Sequence, residues 1–227
     1  MFKSIKTGVV AIILVSTAVL ANAQKVLDQG TITYGIKYEL STEQKHAISE
    51  SMLPEETRIK FNGNISMIEM EMGPAMIKII SDGLQRSSLF LVDIPVIQKQ
   101  YAAKISKAEV EQQMGNVSYT DFVKTGEKQT IGSYNTEKYT YKDNAGNEHE
   151  LWATNDIKLS AGALPYGLEP LKGATPIRYS SFQNGIKSVA TVKSIKEEKA
   201  GPFNLDIPKG YEQKTLAELQ AMQGGGE

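Results

Sequence analysis

Alternation with a period of two, broken repeatedly by Asn-Gly and Asp-Gly, restricts the fold of this chain more than any other feature. In "GTITYGIKYEL", Ile32, Tyr34, Ile36, Tyr38 and Leu40 fall on one side and Thr31, Thr33, Lys37 and Glu39 on the other, the pattern of a strand with one buried face. The theme returns in "RIKFNGNISMIEMEM", with a turn at Asn62-Gly63-Asn64, and in "AMIKIISDGLQRSSLFLVDIP", around Asp82-Gly83. "TEKYTYKD" and "EHELWATNDI" flank a turn cluster from Asp143 to Asn147, "IRYSSFQN" and "IKSVATVKSIKE" meet at Asn184-Gly185, and "FNLDIP" reads as a further strand. Such dipeptides suit the positive φ of tight hairpin loops, so these strands are expected to pair antiparallel.

Helices are few and short. Ser41 with Gln44, Ser106 with Glu109 and Thr215 with Glu218 have capping-box spacing, which predicts a helix near 42–53, a second ahead of a stop at Gly115, and a third through Met222. "SAGALPYGLEPLKGATP", residues 160–176, carries three Pro and three Gly with no sustained period and reads as one long loop. The predicted class is α+β: a curved, mostly antiparallel sheet forming a half-open barrel, with two or three short helices over its concave face.

The N-terminus reads as a leader. Lys3 and Lys6 precede an uncharged, mostly apolar run from Gly8 to Leu20, and Ala21 and Ala23 supply small residues before Gln24. A run of this length is short for a membrane span, so a signal peptide over 1–23 cleaved after Ala23 is predicted, and with it a periplasmic or otherwise secreted, soluble product. With no cysteine, neither a lipidated N-terminus nor a disulfide is available. One domain over 24–215 follows, then a short C-terminal helix and tail over 216–227. Of the 25 basic residues two lie in the leader, which leaves the remainder about three charges negative against 26 acidic ones. No dense basic stripe appears, and nucleic acid is a poor partner.

No catalytic signature emerges. His46 and His149 fall on different predicted elements and cannot build a common zinc centre without unusual carboxylate help. "DNAGNE" puts Gly146 at the wrong offset for a calcium loop. No nucleophile elbow, P-loop or dinucleotide fingerprint occurs. A Ser-His-carboxylate triad centred on His149 stays open, but Glu148 and Glu150 beside it point to the opposite strand face. Tyr139, Tyr141 and Trp152 read mainly as sheet packing. Asn64-Ile65-Ser66 and Asn116-Val117-Ser118 match glycosylation sequons that matter only in a host that decorates secreted chains.

The opening "GTITYGIKYE", the central "KQTIGSYNTEKYTYKDNAGNEHELWATNDI" and the ending "FNLDIPKGYE" together resemble a family of secreted bacterial domains of unknown function, DUF4412, found largely in Bacteroidetes. That family is similar at fold level to the LolA/LolB lipoprotein carriers. The resemblance covers much of 25–213 and implies a half-open barrel with an apolar cleft under its helices. Its implied structural positions are Gly132, Ser133, Tyr134, Tyr139, Trp152, Asp156 and Ile157. The arginine through which the lipoprotein carrier handles cargo has no matching position, which puts lipoprotein transport itself in doubt.

The expected function is therefore noncatalytic binding of a lipid or other hydrophobic or amphiphilic ligand, without a cofactor or metal. Candidate wall residues are Met67, Met70 and Met72, from an adaptable methionine group, and Leu164, Tyr166, Leu168 and Leu171, from the long loop near the mouth. Arg86 and Arg178 are candidate polar selectors. The alternatives are an envelope interaction or structural module without a cavity, and an enzyme of unrecognised type.

Overall fold

The computed structural model describes residues 24–114, 119–165, 167–168, 171, 173–183 and 186–224. The predicted leader with its cleavage point, the Gly115 stop, the second sequon, Tyr166 and the Asn184-Gly185 turn lie outside the described residues.

The chain runs β1 (Lys25–Leu27), β2 (Gln29–Glu39), α1 (Thr42–Ala47), β3 (Glu56–Asn62), β4 (Ile65–Met72), β5 (Ala75–Asp82), β6 (Ser87–Ile94) and β7 (Lys99–Ile105). After α2 (Lys107–Met114) come β8 (Thr120–Ile131), β9 (Tyr134–Lys142), β10 (Glu148–Thr154), β11 (Ile157–Leu159), β12 (Thr175–Gln183) and β13 (Ile186–Lys196). β14 (Glu212–Gln213) and α3 (Leu216–Gly224) close the chain. Twelve strands share one sheet in the order β14-β7-β6-β5-β4-β3-β2-β13-β12-β10-β9-β8, while β1 and β11 form a small parallel pair. Within the large sheet only β14 against β7 is parallel. The result is a mixed α+β fold, and the large sheet ends at β14 and β8 rather than closing into a barrel.

The predicted hairpins form where the turn chemistry sits. Asn62 pairs with Ile65, leaving Gly63 and Asn64 as the loop, and Gly63 takes φ 59°. Asp82 accepts from the amides of Leu84 and Gln85 through one carboxylate oxygen and so rigidifies the β5–β6 turn. All three capping boxes are present: each cap hydroxyl accepts from the residue three positions on, whose side chain accepts from the cap amide. The helix predicted near 42–53 is two pieces. It stops at Ile48, which adopts extended geometry, and a separate 3-10 turn covers Glu50–Met52. Nothing in α1 is buried, so no apolar stripe carries the helix past that β-branched residue.

Register assigns the two faces, since directly paired residues point the same way. On the first face, Ile32, Ile59, Ile68, Ile79, Phe90 and Ala103 make one row, and Tyr34, Thr57, Met70, Ile77, Val92 and Tyr101 the next. The centre of this face is covered by Leu27 of β1, Leu159 of β11 and Ala163, packed with Ile32, Tyr34, Phe61 and Ile177. Helices, expected to cover this face, do so at one end: Leu219 of α3 packs with Ile77, Val92 and Tyr101. The second face carries Ile80, Leu89, Leu91 and Ala102, covered by Phe203, Leu205, Ile207 and Tyr211. "FNLDIP" thus lies on that face but belongs to no strand. Its alternation reflects one side lying on a sheet face instead of pairing at an edge.

Candidate functional site

The segment that covers the second face arches over it and leaves a cavity of about 600 Å³. The floor is one cross-strand row, Thr31 on β2, Lys60 on β3, Met67 on β4 and Ile80 on β5, each paired with the next. Three strand spacings make this floor about 14 Å long, perpendicular to the strands. The roof runs from Glu198 to Pro208 and presents Phe203 and Ile207 to the cavity.

Both ends of the arch are fixed by polar contacts. Asn62 donates through Nδ2 to the Ala200 carbonyl at 2.9 Å, and Ala200 is buried. At the far end the Tyr211 hydroxyl donates to Asp93 Oδ1 at 2.5 Å, an oxygen that also accepts from Gln100 Nε2 at 2.8 Å. Burial raises the Tyr211 pKa, and the hydrogen bond to Asp93 raises it further, so the hydroxyl stays a donor through neutral pH. β14 then crosses the edge of β7, and α3 reaches the first face. One stretch therefore covers one face, blunts an edge and closes part of the other face.

The chemistry of this cavity is that of holding a molecule. Methionine, isoleucine and phenylalanine side chains make apolar walls, and Lys60, Glu198, Lys199 and Asp206 are the charged residues that line it. Lys60 is bridged to Glu69 at 2.8 Å, and Asp206 lies 3.5 Å from Lys104. Neither histidine is among the residues lining it.

A smaller cavity of about 210 Å³ sits on the first face, near the β8 end of the sheet. Tyr119, Tyr141 and Tyr179 surround it, with Pro165 and Leu168 opposite and Ser180 and Ser181 from β12. Tyr141 is held in an aromatic cluster: Phe122 stacks on it at 5.1 Å, His149 at 5.4 Å, and Tyr119 meets it edge-on at 5.0 Å. His149 Nε2 is 2.9 Å from Asp143 Oδ2. The other oxygen of Asp143 accepts from the amides of Ala145 and Asn147, and Asn147 Nδ2 also donates to Oδ2. The hydrogen bond from His149, then those from Asn147, hold the Asp143 pKa well below the usual carboxylate range. This carboxylate is fully engaged in its own hairpin turn, and among the described residues no group of three or more acidic, histidine or cysteine side chains is placed to hold a metal.

The residues singled out from sequence are scattered. Met67 lines the larger cavity, whereas Met70 and Met72 are on the opposite face, packed against the cluster of Ile77, Val92 and Tyr101. Leu164 packs on the central core, and Leu168 and Leu171 are buried with Tyr139, Tyr141 and Leu151. Gly162 seats the start of this loop on the β3–β4 turn, where a Cβ would lie 2.9 Å from backbone atoms of Gly63 and Asn64. Arg86 takes the left-handed φ of 51° in the β5–β6 turn and pairs with Glu111 of α2 at 3.2 Å. Arg178 lies between Trp152 and Thr191 in the ladder, one position from Tyr179 and so on the other face from it. Tyr166 is outside the described residues. Sequence reasoning missed Lys60, Ile80 and the Phe203–Ile207 roof; the available signal was "FNLDIP" itself, apolar at every second position just before a chain end.

No protein-family model matches the chain, and no curated protein matches it. Among the described residues no helix is long and apolar enough to cross a membrane.

Proposed function

We propose that this chain is an exported, noncatalytic protein that holds a hydrophobic or amphiphilic molecule between the second sheet face and the 198–208 arch. The observation that carries the reading is the cavity of about 600 Å³, floored by Lys60, Met67 and Ile80 and roofed by Phe203 and Ile207. Its volume suits an organic ligand, and apolar walls with a few polar groups at the rim are what such sites need. The site differs in place from the cleft first expected, because Leu168 and Leu171 are spent in the core. Export rests on the leader, and membership of the DUF4412 family with its half-open barrel rests on the sequence resemblance. The open order of the large sheet is compatible with that barrel.

The test is native mass spectrometry of gently purified mature protein, followed by titration with a fluorescent fatty-acid probe. A co-purified mass and saturable binding are expected, and Met67→Trp, which fills the floor, weakens the probe at least about tenfold. A parent protein that carries no added mass and binds no probe refutes the reading. That outcome favours the second candidate, an envelope interaction module. β8 supports it, with nearly all of its 12 residues exposed on the outer strand of the sheet. Its two register shifts and its Lys124, Glu127 and Lys128 argue against open-ended pairing there.

A further inference from the structure

We infer that the cavity under the 198–208 arch takes a single-chain amphiphile with an anionic headgroup, head beside Lys60 and Lys199 and tail toward β6, an assignment that rests on the reading of this cavity as a ligand site. Extending its floor by one strand on each side gives the row Lys196, Thr31, Lys60, Met67, Ile80 and Leu89, each paired with the next. Polar side chains stand on β13, β2 and β3, and apolar ones on β4, β5 and β6. The roof repeats this order. Ala200, held by Asn62 of β3, puts neighbouring Lys199 at the polar half, whereas Phe203 and Ile207 pack with Met67, Ile80 and Leu89 at the apolar half. The floor is about 14 Å long, and an extended chain advances about 1.2 Å per bond, so a tail of roughly a dozen bonds spans it. The volume of about 600 Å³ equals roughly twenty waters of liquid, room for one such tail and a small head but not for two tails.

Charge selects the headgroup. Asp206, at the apolar end, is answered by Lys104 at 3.5 Å, the residue paired with Leu89 in the same row. At the polar end Lys60, Lys196 and Lys199 stand against Glu198 and against Glu69, which bridges Lys60 at 2.8 Å, and the lysines are one charge in excess. Glu197, the next acid in sequence, is paired with Lys25 at 2.7 Å. An ammonium has three donors, so Lys60 held in place by Glu69 keeps donors for a bound oxyanion. Thr31, 8% exposed and set between Lys196 and Lys60, adds a hydroxyl at the same end. A cationic head placed here meets like charge, and at the other end it is desolvated among Met67, Ile80 and Phe203 without compensation.

The test is isothermal titration of the mature chain with dodecanoate, dodecyltrimethylammonium and dodecyl maltoside, each below its micelle concentration, at about pH 7.5, where a carboxylate is ionised. The three share one tail and differ in headgroup charge. Dodecanoate should bind at least about tenfold more tightly than either of the others, and raising salt from about 20 mM to about 300 mM should weaken it while leaving the maltoside unchanged. Lys199→Gln and Lys60→Gln should each weaken dodecanoate about three- to tenfold and spare the maltoside. Lys199 is exposed, so its variant keeps the test should Lys60→Gln, which strips Glu69 of its partner, fail to fold. Met67→Trp should weaken all three ligands. Equal binding of the three, preference for the cation, or dodecanoate affinity unmoved by Lys199→Gln would overturn the headgroup assignment and leave the ligand-holding reading standing. No binding by any of the three would remove that reading and the assignment with it.

Discussion

Tyr211→Phe removes one oxygen from the anchor of the arch and leaves the ring that packs on Ile80, Leu89 and Leu91. The lost bond runs from the Tyr211 hydroxyl to Asp93 Oδ1 at 2.5 Å. Hydrogen bonds to charged groups contribute about 1.5–3 kcal/mol. Asp93 keeps Gln100 at 2.8 Å and Lys78 at 3.5 Å, so the carboxylate is not stranded and the lower end, about 1.5 kcal/mol, applies. For a domain of this size that corresponds to a Tm lowered by roughly 3–6 °C. Because only one end of the arch is released, the loss should concentrate there, seen as faster amide exchange and proteolysis between Gly201 and Gly210. The pH dependence has a definite sign. The folded pKa of Tyr211 is raised by burial and by Asp93, so its contribution is complete below the ordinary tyrosine value near 10 and is lost as pH rises past it. The gap between parent and variant should therefore close in alkali. Equal melting at pH 7, with unchanged exchange in the arch, would show that Asp93 does not anchor this segment.

Leu168→Ala should lower stability by about 2–5 kcal/mol in denaturant titrations, because the side chain is 2% exposed among Tyr139, Tyr141 and Leu151; a loss below about 1 kcal/mol would mean that the loop does not cap the core. Trp152→Ala should cost less than the roughly 3–5 kcal/mol of a fully packed aromatic, since Trp152 is only half-buried against the central cluster. Tyr34, Tyr141 and Tyr179 have pKa values raised chiefly by burial, so Tm should hold steady up to about pH 10 and fall steeply above it; a flat profile to pH 11.5 would contradict their burial. Asp143→Asn should loosen the β9–β10 turn near neutrality. Because the folded pKa of Asp143 is lowered, that difference should shrink as pH falls below about 4, and a difference that grows in acid would reverse the assignment.

What the sequence made legible was local. The β3–β4, β5–β6 and β9–β10 hairpins and all three capping boxes lie within a few residues of the signals that specify them, and each formed where those signals stand. What escaped was long-range and short in extent. β1 with β11 and β14 with β7 are parallel pairings of three and two residues, too brief to show a period and joined by no turn. The helix near 42–53 failed for a related reason: its cap was strong, but no packing partner rewarded a second turn.

The candidate site was less legible than the fold because a cavity is made by the chain crossing itself. Met67, Met70 and Met72 look alike in sequence, yet a period of two sends Met67 to one face and the other two to the opposite one. Which face remains open then depends on segments far along the chain. Ala163 and Leu164 pack on the centre of the first face and Leu168 and Leu171 against Tyr139, Tyr141 and Leu151, while the 198–208 arch bridges the second. The bridging follows from composition. Phe203, Leu205 and Ile207 hold one side of the segment down, and Gly201, Pro202, Pro208 and Gly210 keep it from becoming a helix or a strand with partners. An arch tied at Ala200 and Tyr211, which among the described residues pairs as a strand with nothing beneath it, leaves space between its ties, and the side chains under it are Lys60, Met67 and Ile80. The larger cavity is thus a consequence of covering a sheet face with one narrow irregular segment. Its floor of Thr31, Lys60, Met67 and Ile80 comes from strand alternation that was readable from the start, and its roof from a segment whose meeting with that floor was not.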